Sequence, residues 1–302
     1  VTRARLRGLS DNLRGAAFMV AAMAGFALED MSLKGAAQSL PVGQVMMLFG
    51  LGGTLAFALL ARQKGEPLLH PDMVAPRMLL RMVAESTGRL FYTLAIALTP
   101  LVSASAILQA TPLVVVAGAA LLFGETVGWR RWAAILAGLA GVLLILRPGL
   151  SGFEPASVLA LLGMLGFAGR DLATRAAPKR LSNAQLGLCG FAVIAPTGAL
   201  LLVVMGARPV WNVAAFGMVG AGVLVGVAAY SLLTAAMRCG EVSVVTPFRY
   251  TRLLFGIALG ILVFGERPDA AMLAGSAIVL AAGLYTLLRD RRASRRAGAP
   301  GG

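Results

Sequence analysis

Arg249 and Arg252 stand three residues apart in the stretch VSVVTPFRYTR (Val242–Arg252), directly before the apolar run Leu253–Phe264. On a helix that spacing brings both side chains to one face. If the helix begins near Val242, Arg249 lies ~10 Å along it and Arg252 ~15 Å. A hydrocarbon core is ~30 Å thick, so Arg252 falls near its middle. A guanidinium keeps its proton at that depth and must find polar partners, which marks a functional site by default. Its chemistry would be the grip on a carboxylate or phosphate. The competing reading is a structural ion pair with Glu85 or another buried acid. Tyr250 and Phe248 flank the pair and either stack on a substrate or pack. Gln109, Thr111 and Pro112 are placed to line the opposite wall.

Glu85, Arg89 and Tyr92 follow one another at spacings of four and three, which makes one stripe on a helix. Glu85 and Arg89 either neutralise each other or leave Glu85 to take up a proton. Two further pairs, Glu29-Asp30 and Arg170-Asp171, also lie within apolar segments. Asp is too short to snorkel to the headgroups, so Asp30 and Asp171 are expected to face an interior cavity, the first pair toward the outside and the second toward the cytoplasm. Glu125 and Glu266 end apolar runs and are expected to cap the next helix start.

The elements that hold these residues are long apolar runs. The chain is 58% hydrophobic and only 13% charged, with a mean hydropathy of +0.83. A soluble domain carries about 25% charged residues, so this is an all-α integral membrane protein. Ten segments are long enough to span, near 15–34, 41–61, 78–98, 101–123, 131–147, 156–176, 184–205, 212–237, 242–264 and 269–288. With residues 1–14 placed in the cytoplasm, nineteen basic residues, Arg81 among them, fall in joints on that side and four, Lys34 among them, on the other. The positive-inside rule then puts both termini, including the basic tail 289–302, in the cytoplasm. The first apolar run is span-length and reads as a retained helix of a multi-pass inner-membrane protein.

The chain also repeats. Gly25-Phe26-Ala27-Leu28-Glu29-Asp30 matches Gly166-Phe167-Ala168-Gly169-Arg170-Asp171 at an offset of 141. Lys34 then falls on Arg175, and Phe123-Gly124-Glu125 on Phe264-Gly265-Glu266. Residues 15–147 and 156–288 each hold five spans. Five is odd, so the second half crosses in the opposite sense, giving two inverted five-helix repeats. Arg249 and Arg252 have Leu108 and Thr111 as counterparts, and that asymmetry favours a substrate role over a scaffolding one.

Ten spans as five plus five, the duplicated Phe-Gly-Glu and the Gly-rich helices Ala133–Leu146 and Ala274–Leu287 together resemble the drug/metabolite transporter superfamily, and more closely its EamA-type carriers. The resemblance covers roughly 15–288. It implies a cavity between the halves and no nucleotide-hydrolysing domain. Carriers of this kind move amino acids, S-adenosylmethionine, riboflavin and other small organic compounds.

The expected function is therefore secondary transport of a small metabolite, best an amino acid or related zwitterion or anion. Arg249, Arg252, Tyr250, Gln109 and Tyr92 would bind it. Glu85, Arg89, Asp30, Asp171, Arg170 and Glu29 would gate or couple. A larger metabolite such as S-adenosylmethionine or riboflavin is the alternative, and a non-transporting sensor or scaffold is the rival of another class. An enzyme is not expected: one loop histidine (His70) and two separated cysteines (Cys189, Cys239) supply neither a nucleophile–base set nor a metal cluster. No cofactor is expected. The partners are the substrate and the bilayer, with a homodimer open. The net charge of +14 is topological, so nucleic acid is not a partner.

Overall fold

The structure is a computed structural model and describes residues 2–124, 128–147, 154–175, 180–239 and 245–297. Those residues form helices and no strand. In chain order they are α1 (Thr2–Ala37), α2 (Val42–Gln63), α3 (Pro76–Leu98), α4 (Leu101–Leu108), α5 (Thr111–Phe123), α6 (Trp129–Leu146), α7 (Ser157–Arg175), α8 (Asn183–Val204), α9 (Val213–Cys239), α10 (Thr251–Phe264) and α11 (Ala270–Ala297). A short 3-10 turn covers Pro71–Val74, and a second, Thr246–Tyr250, precedes α10. The N-terminal segment is helical from Thr2 and runs straight into the first span.

Two of the expected spans are broken. The run near 101–123 stops at Leu108, turns at Gln109 and Ala110, and restarts at Thr111 with Pro112 in its first turn. The run near 242–264 is not one helix through Arg249 and Arg252. Its described part is the 3-10 turn Thr246–Tyr250, and the α-helix starts only at Thr251. Proline explains both breaks, since it cannot donate into the preceding turn and it suits the first positions of a new helix. The two breaks are separated by the repeat offset: Gln109 and Tyr250 are 141 apart. Arg249 thus sits in the break itself, while Arg252 opens the next helix.

Six stretches are long and apolar enough to cross a bilayer by length and composition alone: Asp11–Ala37, Val42–Gln63, Leu101–Leu122, Ser157–Thr174, Asn183–Val204 and Val213–Leu233. The helix α3 has the length but carries Arg77, Arg81, Glu85 and Arg89. Helix α10 is shortened by the break, and the apolar parts of α6 and α11 are brief.

The helices pair across the molecule rather than along the chain. Helix α1 packs on α9, α3 on α7, α2 on α8 and α6 on α11. Small residues allow the closest crossings. A Cβ at Gly166 of α7 would lie 2.4 Å from the Gly88 amide nitrogen of α3, so any side chain there would push the helices apart. At the α1–α9 crossing a Cβ at Gly25 would lie 2.8 Å from the Ala229 Cβ. Both residues of this second crossing are 141 positions from their counterparts in the first, Gly25 from Gly166 and Gly88 from Ala229. The same contact is built twice from the two halves of the sequence. One large core of buried Leu, Ile, Ala, Phe and Met side chains runs through all of these helices. Outward-facing leucines and valines such as Leu55, Leu80, Leu200 and Leu262 remain exposed, as a lipid-facing surface requires.

Candidate functional site

The charged residues of the spans converge on α3. Arg89 donates from Nη1 to Glu29 Oε1 of α1 at 2.8 Å. One residue further on α1, Asp30 accepts from Arg252 of α10 at 2.6 Å and from the Tyr92 hydroxyl of α3 at 3.1 Å, both at Oδ2. Glu29, Asp30 and Tyr92 are each 1% exposed. The two guanidinium groups also stack: Arg89 lies 4.9 Å from the Phe49 ring centre and Arg252 5.3 Å from that of Phe26. A delocalised, weakly hydrated cation between aromatic faces and carboxylates is the form in which Arg tolerates burial.

A second cluster adjoins the first. Glu85, one turn from Arg89 on α3, accepts from Arg170 of α7 at 3.3 Å. Arg170 also holds Asp171 through Nε at 2.9 Å. Arg81 lies 3.8 Å from the other Glu85 oxygen and donates from Nε to Thr174 at 2.9 Å. Glu85 is thus held between two guanidinium groups, which compensates its charge.

Several expectations are corrected by this arrangement. Glu85 and Arg89 do not neutralise each other; each turns to a different helix, because α7 and α1 offer opposite charges at successive turns of α3. Arg252 is not free: it pairs with a buried acid other than Glu85, Asp30, as the competing reading allowed. The pairs Glu29-Asp30 and Arg170-Asp171 do not occupy opposite ends of the bundle. They meet α3 at positions only four residues apart, about 6 Å of helix rise. Arg81 belongs to this interior and not to a loop: it is 5% exposed. Its spacing of four before Glu85 was the available signal.

The remaining candidates divide. Gln109 donates from its side-chain amide to the backbone carbonyl of Arg249 at 3.3 Å, so the two helix breaks touch. No described acid lies within ion-pair distance of Arg249. Tyr250 is turned away from the charge clusters: it packs on α11, where a Cβ at Gly283 would meet its hydroxyl at 1.8 Å. Thr111 closes on its own backbone, donating to the Leu108 carbonyl at 2.5 Å. Glu125 lies outside the described residues. Glu266 does cap a helix, but not the next one. Its two oxygens accept the amides of Leu101 at 2.6 Å and Val102 at 3.0 Å, which open α4. Helix α11 is capped instead by Asp269, which accepts from the Met272 amide at 2.9 Å.

Among the described residues, six buried side-chain atoms lack a hydrogen-bond partner, and three of them, Asp30 Oδ1 and the Nε atoms of Arg89 and Arg252, belong to the first charge cluster. Buried polar atoms are normally satisfied, and clustered exceptions mark places where another polar molecule belongs. A cleft of about 780 Å³ opens nearby, lined by Met31, Ser32, Lys34, Gln38, Thr99 and Glu266 among others. Its α1 wall begins at Met31, the residue after Asp30. No group of three or more described His, Cys, Asp or Glu side chains could hold a metal.

A family model described as the EamA-like transporter family matches residues 13–147. A riboflavin transporter of Rhizobium johnstonii is 30% identical over 236 residues, 73% of this chain and 72% of that protein. The pseudopaline exporter of Pseudomonas aeruginosa is 28% identical over 274 residues, 87% of this chain and 93% of that one. An S-adenosylmethionine uptake transporter of Rickettsia bellii is 22% identical over 207 residues, 68% of this chain and 70% of the relative. A solved crystal structure, described only as that of a protein, has the same fold with a TM-score of 0.58. It is 21% identical and the match covers 89% of this chain and 98% of that one.

Proposed function

From the premise that the chain belongs to the EamA-like transporter family, within the drug/metabolite transporter superfamily, we propose a secondary carrier for a small polar metabolite that works by alternating access. The two halves, 15–147 and 156–288, act as inverted five-helix repeats of a ten-span protein. What supports this is the exchange of partners: α1 packs on α9 as α7 packs on α3, while α2–α8 and α6–α11 pair with their own counterparts. Breaks at equivalent positions of both halves are the usual place for a binding site in such a carrier. Both termini face the cytoplasm of an inner-membrane protein in this reading, following the charge of the joints.

The observation that carries the substrate reading is the Asp30–Arg252–Tyr92 cluster with its unpartnered Asp30 Oδ1 and Arg252 Nε. It offers an acceptor and a donor side by side, which suits an amino acid or related zwitterion. Arg249, at the break, adds a cation for a carboxylate. Glu29, Arg89, Glu85, Arg170 and Asp171 form the polar wall that gates access, moving together with α3. A larger metabolite is the second reading. Relatives are named as transporters of riboflavin and S-adenosylmethionine, and a cleft of about 780 Å³ is roomy enough for such a ligand.

Purified protein is screened by thermal shift against amino acids, riboflavin and S-adenosylmethionine, alongside Arg252→Lys and Arg252→Ala. The substrate stabilises wild type and loses its effect in both variants. Stabilisation that persists in the variants would move the site elsewhere. Uptake into proteoliposomes with and without a pH gradient reads coupling, and equal initial rates would remove it.

A further inference from the structure

Lys34 and Glu266 tie the two halves together at one end of the bundle, apart from the Arg252 cluster. Glu266 belongs to the second half, yet both its oxygens cap α4 of the first. Lys34 of α1 lies 3.2 Å from Glu266 Oε1 and donates to the Thr99 carbonyl at 2.6 Å. Its ammonium also stands 5.1 Å from the Phe264 ring centre. Both side chains are about one-tenth exposed: 11% for Lys34 and 10% for Glu266. Room for the carboxylate depends on Gly260, where a Cβ would lie 2.6 Å from Glu266 Oε2. Gly265 lets the chain turn back, with a φ of +64° that other residues rarely adopt.

Position gives this contact its meaning. Lys34 follows Asp30 by one helical turn and shares its face of α1. Lys34 and Glu266 both line the 780 Å³ cleft, whereas Asp30 is 1% exposed. The pair therefore lies at the boundary between the open cleft and the closed charge cluster. We propose that Lys34 and Glu266 are positioning residues of the transport cycle, a latch across the halves that separates from α4 when the cleft becomes continuous with the Asp30–Arg252 cluster. The inference rests on the carrier reading but not on any particular substrate. A structural helix cap would need only Glu266 and the two amides. A latch needs the ammonium as well, since Lys34 compensates a carboxylate that must leave and regain a mostly buried place.

Ser105 supplies a reporter. It is 3% exposed on α4, one turn beyond the capped amides, and a Cβ at Gly256 would lie 2.8 Å from its hydroxyl. Gly256 is itself one turn from Arg252. Ser105→Cys is made with Cys189 and Cys239 replaced by Ala, and its labelling by a membrane-impermeant maleimide is timed in sealed proteoliposomes from each face. Lys34→Gln, which leaves both amide caps in place, raises the rate at least ten-fold from one face only, and Glu266→Gln does the same. A rate within two-fold of the parent in Lys34→Gln overturns the latch and leaves a plain cap. An equal rise from both faces, with loss of the cooperative thermal transition, also overturns it as simple unfolding. Because labelling needs no substrate, these outcomes are separate from failure of the uptake assay.

Discussion

Arg252 of α10 and Asp30 of α1 meet at 2.6 Å although they are 222 residues apart in the chain. Removing one partner leaves the other charged and buried, which costs about 3–5 kcal/mol. Asp30→Asn and Arg252→Gln should each lower the thermal midpoint sharply in detergent. The double variant should recover most of that stability without recovering uptake. Double-mutant-cycle melting and uptake on the same preparations separate the two effects.

Arg81 offers a sharper test, because sequence places it near a joint and structure places it inside. Arg81→Met leaves Glu85 with Arg170 alone and Thr174 without its donor. A loss of about 3 kcal/mol or more is expected. Arg62→Met, at the exposed end of α2, serves as the comparison and should cost less. Equal losses in chemical unfolding would return Arg81 to the surface.

The crossing of α3 and α7 has no room for a side chain. Gly166→Val should destabilise by about 1–3 kcal/mol through overpacking against Gly88. Gly25→Val should do the same at the α1–α9 crossing. Yield of monodisperse protein after heating measures both. Gly217→Ala is the control, since a Cβ there would meet nothing within 4 Å.

Asp269 lies in the joint before α11 and carries a pH signature. The Met272 amide, and then the Arg147 guanidinium paired with it, hold its carboxyl below the ordinary value of 3.8. A depressed carboxylate contributes stability above its unfolded pKa and loses it as pH falls through the folded value. Asp269→Ala should cost about 1 kcal/mol at neutral pH, the usual worth of such a cap. The two proteins should converge in thermal midpoint as the pH drops below 3.8. A constant difference down the acid limb would assign the effect to packing.

Much of this was legible in the chain because long apolar runs and a 141-residue offset survive as patterns. Most helix limits fall within a few residues of the expected ones, but the first helix starts at Thr2, the last runs on to Ala297, and the runs near 101–123 and 242–264 are interrupted. Pairing was harder. Glu85 and Arg89 look like mutual partners at a spacing of four, and only the packing of α1 and α7 on either side of α3 separates them. Lys34 and Arg81 lie near the ends of apolar runs, where charges read as topology rather than as interior pairs. The offset could have been taken further: Gly25 and Gly166 mark the close crossings, but identical glycines are common in membrane helices. The breaks at Gln109 and at Thr246–Tyr250 were signalled by Pro112 and Pro247, residues that membrane helices often carry without breaking.

Helix α3 presents Arg81, Glu85 and Arg89 at intervals of one turn, so its sign alternates along the face it offers to α1 and α7. Were it to slide by a single turn, about 5.4 Å, Glu85 would confront Glu29 and Arg81 would approach Arg170. Like would face like at both levels. The alternation works as a vernier scale with one permitted setting, so α3 must travel in step with its neighbours, and whatever motion opens the protein has to occur around that column rather than within it.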